Sequence, residues 1–529
     1  MNTVKDIVIF GGKKGADKPQ YTFYNFDGEI EMKTFAQVNY DLTGLGQYLY
    51  KLGLRGKKVA ILSENSYYWI ACYFSIITGK ITAVPMDPKL PDDDIIDIMI
   101  RSGCNAIYYS EDFKDTVEKM KKTDGVVIEQ YIKIEDFYSM VEEGHNEVKN
   151  GVESYLEDEV LPSDLAFLVY TSGTTGKSKG VMLSQENVAA DSVASCRVMT
   201  GGPAIGFLPL HHAFSWVGAL FSGNLLTEWG FICRSLKDIQ KDMNTYHPQN
   251  FSAVPLAVET IYKKIWFTAK KSGREEMLKK GLKISNFLLK LGIDKRRKIF
   301  SEILNNLGGN LEMIVCGGAY LDEQYEKGME AFGIKIINGY GITECSPAVT
   351  CNRLDAYKVG SVGIPLPCNE IKIKDPDEDG IGEICVKGKN VMVGYYNEPE
   401  ATAEVFDGDW FLTGDYGYID EDGFLFFKGR KKNLIILSNG KNVSPEEIED
   451  KLSTIDYVKE VVVYEEKGYI TAEFFLDTVD TPDAKDRIKA DVNEINRKMP
   501  SYKQVTRIKT RDSEFPKTTT LKILRDYKK

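Results

Sequence analysis

The sequence predicts an α/β protein with parallel sheets and a second, smaller α+β domain. From about residue 35 onward, apolar strand-like runs alternate with segments of helical periodicity, an order typical of parallel strands covered by helices on both faces. After about residue 360 the pattern changes to short strands separated by turns, which is typical of a meander or barrel. At 529 residues the chain exceeds what one hydrophobic core normally serves, so we expect at least two domains.

The elements of the first part follow one another in strand–helix order. Helical spacing predicts helices over 35–52 and 66–78, and continuous apolar runs predict strands over 58–62 and 81–85. Similar runs predict further strands at 165–169, 204–210, 251–254, 312–316 and 335–338. Ligands of such sheets bind where the strands end, so we expect a site in the loops that follow these strands.

The last part of the sequence combines short strands with a small closing domain. Strands are predicted at 371–373, 383–386 and 424–427. The acidic run DPDEDGIG (375–382) is typical of a solvated turn, and Ser444 followed by Pro445 predicts the capped start of a helix. The expected domains are residues 1–429 and, as an α+β domain, residues 430–529.

Composition and charge exclude several classes of protein. The net charge of −11 argues against a general nucleic-acid binder, which needs a positive surface. No segment reaches the roughly eighteen uninterrupted apolar residues of a membrane span, and the N-terminus has too short an apolar core for a signal peptide. The nine cysteines are scattered without a CxxC pair, so neither a disulfide framework nor a zinc site is indicated. We therefore expect a cytoplasmic protein with no nucleic-acid partner and at most peripheral membrane contact.

The stretch YTSGTTGKSKG (170–180) directly follows a predicted strand. An ordinary P-loop would need glycine at position 171, where this chain has threonine. Glycines nevertheless let backbone N–H groups approach an anion, hydroxyls add donors and lysines supply charge, which favours a polyphosphate ligand. A flexible surface loop is the alternative for a segment of this composition.

Four further segments accompany this loop. They are CGGAY (316–320), NGYGITECSP (338–347), WFLTGDYGYIDEDGFLFFKGRKKNLIILSNGKNVSPEEIE (410–449) and PKTTTLKILR (516–525). In order and spacing the five motifs resemble the adenylate-forming (AMP-binding) superfamily, and the resemblance runs from near residue 35 to the end. Three segments are most similar in sequence to bacterial long-chain fatty acyl-CoA synthetases: LPLHHAF (208–214), VPLAVETIYKKIW (254–266) and NGKNVSPEEIE (439–449).

The resemblance implies a fold and a reaction. The fold is a large N-terminal domain of two α/β subdomains plus a distorted β-barrel, with a small mobile α+β lid at the C-terminus. The reaction uses ATP and Mg²⁺ to convert a carboxylic acid to an acyl-adenylate with release of pyrophosphate, after which the thiol of CoA displaces AMP. Because two anions must approach each other in the first step, electrostatic screening is the main catalytic task.

The resemblance also implies nucleotide-binding roles. The loop over the phosphates would comprise Thr171, Ser172, Gly173, Thr174, Thr175, Gly176 and Lys179. The adenine and its surroundings would be contacted by Gly317, Gly318, Ala319, Tyr340 and Gly341. Thr343 would touch phosphate, Glu344 would hold the Mg²⁺, Asp415 would bind the ribose hydroxyls and Arg430 would reach the ribose or a phosphate. Taken alone, Tyr340 is more typical of a core ring and Asp415 of a turn or helix cap.

Further residues would serve catalysis and lid rotation. Lys522 would neutralise charge between the carboxylate and the α-phosphate, and Lys432 would be the hinge. His212 would lie beside the acyl and thiol channels, with Trp216 as an aromatic gate, and Gly440 would line the pantetheine tunnel. Composition alone favours an ordinary solvated lysine at position 522, whereas for the histidine and the tryptophan an ordinary place in the core is an equal alternative.

The sequence departs from the family pattern at three positions. Leu521 replaces the glycine that precedes the lysine, Tyr320 replaces a common proline and Asn433 stands where many members have aspartate. Leucine does not tolerate the unusual φ and close approach that glycine permits, which puts the geometry of that loop in question. Separately, the pair His211–His212 would need further ligands to bind a metal, and the sequence shows none nearby.

Residues 261–300 are strongly basic in a chain that is acidic overall. Such a patch suits an anionic membrane surface, an acidic carrier protein or the phosphates of CoA. Solvated helix faces are the simpler explanation.

The sequence therefore predicts an ATP- and Mg²⁺-dependent acyl-CoA synthetase that acts on a medium- to long-chain fatty acid. One alternative is an enzyme that adenylates a fatty or aryl acid and loads it onto a separate acyl or peptidyl carrier protein. A second alternative, from a different class, is a catalytically lapsed nucleotide-binding regulatory protein, for which Leu521 is the best argument. No motif marks the acyl chain length or the oligomeric state.

Overall fold

The structure is a computed structural model, and the residues it describes are 1–152, 155–171, 178–196, 202–233, 238–436, 442–479, 481–517, 523 and 525. The chain divides into two compact units. The first unit comprises residues 1–371 and 386–411, and the second comprises residues 372–385 and 412–529. This division does not test the expected domain boundary between residues 429 and 430, which stays a prediction.

Seven strands among the described residues form one sheet of the first unit. Their order across the sheet is Gly394–Tyr395, Lys179–Ser184, Leu165–Thr171, Thr82–Pro85, Lys58–Leu62, Ala106–Tyr109 and Gln130–Lys133. The last five strands are parallel, whereas Lys179–Ser184 pairs antiparallel with both of its neighbours. Thr82–Pro85 and Ala106–Tyr109 are buried along their whole length, as expected for apolar strands between two helical layers.

A second sheet of the first unit has nine strands within the described ranges. In order they are Ile364–Pro365, Ala348–Cys351, Lys335–Gly341, Met313–Cys316, Asn250–Ala253, Ala204–Gly206, Gly230–Ile232, Pro19–Tyr24 and Ile30–Thr34. Its central strands are parallel and its outer pairs are antiparallel. The predicted strand over 204–210 is shorter than expected, because the chain leaves the sheet after Gly206.

Helices connect these strands, and their starts follow from local sequence. Thr34 and Gln37 form a capping box at the start of Phe35–Lys51, and the Ser66 side chain caps Tyr67–Ile77. The other α-helices of the first unit are Val4–Gly15, Asp92–Ser102, Lys114–Met120, Phe137–Lys149, Gln185–Cys196, Ala213–Ser215, Ser222–Leu226, Ile239–Tyr246, Pro255–Lys271, Glu275–Lys290, Arg296–Ile299, Ser301–Asn305, Glu323–Ala331 and Pro399–Glu404. Trp216–Phe221 is a π-helix, and short 3₁₀ turns are Glu111–Phe113, Ile134–Asp136, Tyr155–Glu157 and Thr343–Cys345.

The second unit is an α+β arrangement with its own core. Its described strands Val458–Glu466, Tyr469–Leu476 and Arg507–Arg511 form a three-stranded sheet, and Ile435–Ile436 pairs with Asn442–Val443. The helices Pro445–Ser453 and Ala484–Asn496 contribute Ile448, Leu452 and Ile488 to a core that includes Phe474. The Ser444 side chain accepts a hydrogen bond from the Glu447 N–H, which confirms the predicted cap. Lys431–Asn433 and Ser501–Lys503 are 3₁₀ turns.

A further sheet has five strands, and the chain changes from one unit to the other within some of them. Among the described residues it comprises Asn369–Lys374, Gly382–Gly388, Trp410–Ile419, Phe406–Asp407 and Leu425–Arg430. The first three of these strands pass through the points where the chain changes unit. The acidic turn before Gly382 is exposed, and the Asp377 carboxylate accepts hydrogen bonds from the N–H groups of Asp379 and Ile381. With two α/β sheets and a small α+β unit, the predicted fold class is confirmed.

No described helix combines the length and the apolar character needed to cross a membrane.

Asp191, on helix Gln185–Cys196, is fully buried, and its Oδ2 accepts a hydrogen bond of 3.1 Å from the N–H of Ala348. Burial raises the pKa of Asp191 well above its usual range, which the one backbone hydrogen bond only partly opposes.

Asp191→Asn tests this buried carboxyl group. Because its pKa is raised, Asp191 keeps its proton to higher pH in the folded state than in the unfolded state, which loses the proton above pH about 4. Stability should therefore fall as pH rises toward the raised folded pKa, by up to about 1.4 kcal/mol per pH unit from this group. The asparagine variant should lack that slope, as measured by urea unfolding between about pH 5 and about pH 8. The exposed Asp124→Asn is the control, and parallel profiles for wild type and Asp191→Asn would contradict the prediction.

Candidate active site

The two sheets of the first unit are joined where their parallel strands end. Asn65 lies just beyond strand Lys58–Leu62 of the seven-stranded sheet. Its Nδ2 donates to the carbonyl oxygen of Leu208, and its Oδ1 accepts from the N–H of Leu210, both at 2.9 Å. Leu208 and Leu210 follow strand Ala204–Gly206 of the nine-stranded sheet. One amide side chain therefore ties together the carboxyl ends of strands from both sheets, where a site was expected.

The phosphate-binding loop predicted from sequence begins and ends on paired strands. Thr171 pairs with Lys179 in an antiparallel ladder, whereas Ser172, Gly173, Thr174, Thr175 and Gly176 lie outside the described residues. Arg101 donates to the carbonyl oxygen of Ser178 at 2.6 Å and to its Oγ at 2.8 Å, and its guanidinium lies 5.0 Å from the centre of the Tyr170 ring. No motif marks Arg101, which fixes the C-terminal end of the loop.

The predicted adenine-binding residues lie at the ends of two neighbouring parallel strands. Gly317, Gly318 and Ala319 follow strand Met313–Cys316, and Tyr340 and Gly341 end strand Lys335–Gly341. A Cβ on Gly341 would lie 2.3 Å from the carbonyl oxygen of Pro347, so only glycine fits. The Tyr340 side chain is buried. The structure thus brings these five residues to one edge of the nine-stranded sheet.

Thr343 and Glu344 lie in the turn just after that strand, and this turn is tied to the seven-stranded sheet. The Tyr395 hydroxyl donates to Glu344 Oε1 at 2.9 Å, and the Met392 N–H donates to the Glu344 carbonyl oxygen at 2.8 Å. Lys179 Nζ lies 4.8 Å from the centre of the Tyr395 ring. Tyr395 therefore contacts both Glu344 and a lysine of the predicted phosphate loop.

Tyr395 was not predicted, and no local signal identifies it. It belongs to the two-residue strand Gly394–Tyr395, which pairs with Lys179–Ser184 through Tyr395 and Val181. Burial, followed by the negative charge of Glu344, raises the pKa of the Tyr395 phenol. The hydroxyl is therefore a permanent donor to the carboxylate.

His211 and His212 lie beside a carboxylate that the sequence did not place there. Asp87, just beyond strand Thr82–Pro85, has its Oδ2 at 3.5 Å from His211 Nε2, and the two imidazole rings are 4.3 Å apart. One donor atom from each of these three residues lies within 4.8 Å of the others, a group that could hold a metal ion. The expectation that further ligands would be lacking is thus wrong. Trp216 is fully buried and stacks on Phe167 at 4.8 Å.

Asp415 and Arg430 contact each other in the second unit. They are register partners on antiparallel strands, and Arg430 Nε lies 3.3 Å from Asp415 Oδ1. The Asp415 side chain is buried, with 3% of its area exposed, whereas Arg430 is half-exposed. The predicted hinge residue Lys432 is exposed in the turn that follows, and Lys431 next to it forms an ion pair of 2.7 Å with Glu383.

The second unit also shows how one departure from the family pattern is accommodated. Asn433 Nδ2 donates to Glu446 Oε1 at 2.6 Å. An aspartate at position 433 would instead bring two carboxylates together, which is unfavourable. The amide of Asn433 therefore suits its neighbour Glu446, because it offers that carboxylate a hydrogen-bond donor.

The lysine motif at the C-terminus (516–525) is held in place through its last residue, Arg525. Arg525 donates to Glu449, whose side chain is 14% exposed, and to the carbonyl oxygen of Val463, and Ile523 forms a bridge with Lys517. Burial raises the pKa of Glu449 to about 7, against the opposite effect of the Arg525 charge. Lys522, Leu521 and Gly440 lie outside the described residues.

Comparison with known families assigns the class of protein. Residues 12–396 match the AMP-binding enzyme family, and residues 432–527 match the AMP-binding enzyme C-terminal domain. Because the first match alone covers more than half of the chain, the chain belongs to the AMP-binding enzyme family.

Within this family the chain is similar to acyl-CoA ligases. It is 28% identical over 556 aligned residues to a long-chain-fatty-acid–CoA ligase of Escherichia coli O6:H1, which covers 96% of this chain and 91% of that protein. It is 30% identical over 456 residues to long-chain-fatty-acid–CoA ligase 6 of Mus musculus. That match covers 80% of this chain and 65% of the mouse protein, so the chain spans just under two thirds of this relative. The predicted resemblance to long-chain fatty acyl-CoA synthetases, bacterial ones included, is confirmed.

Solved structures share the fold. The anthranilate CoA ligase AuaEII in complex with anthranoyl-AMP superposes with a TM-score of 0.79 at 21% identity, covering 98% of this chain and 95% of that one. The o-succinylbenzoate CoA synthetase of Bacillus subtilis in complex with ATP and magnesium gives 0.74 at 23% identity, covering 98% of each chain. A fatty acyl CoA synthetase of Mycobacterium tuberculosis gives 0.69 at 21% identity, covering 99% and 97%. These likenesses establish the fold of an adenylate-forming enzyme.

Proposed function

We propose that this chain is an AMP-forming acyl-CoA synthetase that activates a medium- to long-chain fatty acid. It would convert the acid and ATP to an acyl-adenylate and pyrophosphate, and then transfer the acyl group to CoA with release of AMP. The similarity to long-chain-fatty-acid–CoA ligases along most of the chain supports the substrate class.

The observation that carries this proposal is the contact of Tyr395 with both Lys179 and Glu344. Adenylation brings a carboxylate against a polyphosphate, so the site must supply positive charge and a ligand for a cation at neighbouring points. Lys179 would offer the charge at the end of the phosphate loop, and Glu344 would offer the carboxylate.

The residues present fit a magnesium ion. Tyr395 engages only Oε1 of Glu344, and among the described residues no other side-chain contact uses its second oxygen. Carboxylate oxygen is the ligand that Mg²⁺ prefers, so Glu344 would hold the ion. When bound there, Mg²⁺ would supply neutralising charge to the phosphate oxygens of ATP.

The remaining residues would orient the reactants. Thr343, beside Glu344, would donate its hydroxyl to a phosphate oxygen, and Tyr340 would lie against the adenine. Asp415, held by Arg430, would accept hydrogen bonds from the ribose hydroxyls. In the same proposal, His212 would line the path of the acyl group and the thiol, Gly440 the pantetheine tunnel, and Lys432 would be the hinge of the lid.

Acid-dependent release of pyrophosphate tests the proposed function. The substrates are saturated fatty acids from short to long together with several aryl acids, each with ATP and Mg²⁺, with and without CoA. Turnover that requires CoA and is greatest for medium to long chains is the expected result. A single burst that CoA does not affect would indicate a carrier protein as acceptor, and no release with any acid would indicate a lapsed enzyme.

Lys522→Ala separates the two half-reactions. Loss of this positive charge should raise the adenylation barrier by about 3 to 4 kcal/mol, because it would neutralise charge that develops between the two anions. Formation of thioester from supplied acyl-adenylate and CoA should be largely spared. Lys528→Ala, in the same terminal segment, should leave both steps unchanged. Equal loss of both half-reactions in Lys522→Ala would contradict this role.

Tyr395→Phe tests how Glu344 is positioned. A hydrogen bond to a charged group contributes about 1.5 to 3 kcal/mol, so its loss should raise the Mg²⁺ concentration needed for half-maximal adenylation by about tenfold or more. A magnesium titration of pyrophosphate release at saturating ATP measures this. The matched control is Tyr464→Phe, since Tyr464 also donates to a glutamate, Glu473, at 2.9 Å. Identical magnesium titrations for the two variants would exclude a positioning role for Tyr395.

A further inference from the structure

Two consecutive helices carry the basic patch found in the sequence. These are Pro255–Lys271 and Glu275–Lys290, and the second is followed by the short basic helix Arg296–Ile299. Their inner faces pack on one another and on the body of the first unit, in a cluster built around the buried Leu278 and Phe332. The apolar contacts that the fold requires are therefore made by the inner faces.

The outer face of the second helix is nevertheless apolar. Four large side chains are exposed there: Met277 by 60%, Ile284 by 56%, Phe287 by 62% and Leu291 by 59%. Their positions in sequence place them along one side of a helix, and we call these four residues the apolar stripe. An exposed apolar row of this kind at the surface of a folded unit indicates an interaction site.

The stripe is surrounded by positive charge. Residues 255–298 contain thirteen Lys and Arg but four Asp and Glu, in a chain of net charge −11. Lys280 lies within the stripe, and Lys283 and Lys290 lie beside it; all three are exposed. In the part of the chain that the structure describes, these three lysines form no ion pair, whereas Lys279 on the adjacent face pairs with Glu275 at 2.8 Å. The charge around the stripe is therefore not neutralised by the protein itself.

We infer that this face docks on the surface of an anionic lipid bilayer. The apolar stripe would enter the boundary between headgroups and acyl chains, while the lysines extend to the headgroup phosphates with their methylene stems along the stripe. A nucleic acid offers phosphates but no apolar layer for four large side chains. A bilayer offers both, at a depth that suits a helix lying in the interface.

The docking has a consequence for substrate supply, and that consequence alone rests on the proposed function. Fatty acids of medium to long chain dissolve in bilayers, because each methylene group contributes about 0.8 kcal/mol to partition. An enzyme held at the bilayer surface would therefore work where its substrate is concentrated. The docking itself requires no catalytic activity.

Sedimentation with vesicles measures the docking directly. The full chain is mixed with vesicles of phosphatidylcholine and phosphatidylglycerol, or of phosphatidylcholine alone, at low and high salt. Binding should be stronger by about tenfold or more with the anionic vesicles and should weaken as salt is raised, since each surface lysine contributes about 1 kcal/mol near such a surface. Absence of binding, or equal binding to both vesicle types, would overturn the proposal.

Matched variants identify the surface. Ile284→Ser should weaken binding to anionic vesicles by about fivefold, and Ile284→Ser combined with Phe287→Ser by about tenfold or more. The control is Ile30→Ser, because Ile30 is 55% exposed elsewhere on the same unit, almost as exposed as Ile284. Equal binding by Ile284→Ser and Ile30→Ser would overturn the role of the stripe.

The lysines are tested in the same way. Lys280→Gln with Lys283→Gln should lower affinity about thirtyfold and reduce the salt dependence. Lys122→Gln with Lys149→Gln, at two other exposed positions, should change neither. If the full chain binds an acidic acyl carrier protein through Lys280 and Lys283 but no vesicle, a protein and not a bilayer is the partner, and the proposal fails.

An activity measurement keeps the two proposals distinguishable. With a long-chain acid presented in anionic vesicles, the variant Ile284→Ser combined with Phe287→Ser should turn over more slowly than wild type. With a shorter, water-soluble acid and no vesicles, the two proteins should be equal. Vesicle binding without activity on any acid would remove the proposed function and leave the docking, whereas activity without vesicle binding would do the reverse.

Discussion

The two hydrogen bonds of the Asn65 amide hold together the carboxyl ends of the two parallel sheets. Loops at strand ends carry backbone groups that the sheet does not pair, and each such group needs a partner. Here one side chain from the seven-stranded sheet satisfies both an N–H and a carbonyl group from the nine-stranded sheet. This junction brings His211 next to Asp87, so the geometry of the candidate site depends on it.

A second contact, the hydrogen bond between Tyr395 and Glu344, also connects the seven-stranded sheet to the nine-stranded sheet. For Glu344 to hold a cation as proposed, its carboxylate must be fixed before the cation arrives, or ordering it would cost binding energy. Tyr395 fixes one oxygen of Glu344, and burial keeps the phenol protonated because its pKa is raised. The same ring lies close to Lys179, which limits the distance between the cationic and the anionic side of the site.

The sequence predicted what depends on short segments. The strands Lys58–Leu62 and Thr82–Pro85 and the cap at Ser444 were identified because apolar runs and capping residues act over a few positions. The contacts of Asp87, Arg101 and Tyr395 were not identified from sequence, because they depend on the order of strands in the sheets. Arg101 and Ser178, for example, are 77 residues apart and meet only because their elements are neighbours in the fold. The glycine-rich loop was predicted from sequence because phosphate binding requires particular residue types at adjacent positions, and its role stays a prediction.

The departure at Asn433 bears on whether the chain has lost its activity. Where many family members have aspartate, this chain has an amide that donates to Glu446. Glu446 also lies 3.3 Å from the guanidinium of Arg525, which in turn binds Glu449. The residue at 433 is thus one member of a charge arrangement that extends to the anchor of the C-terminal lysine motif. In that arrangement a second carboxylate would compete with Glu446 for the same donors, whereas an amide adds a donor. Asparagine at 433 is therefore compensated by its surroundings and does not argue for a lapsed enzyme.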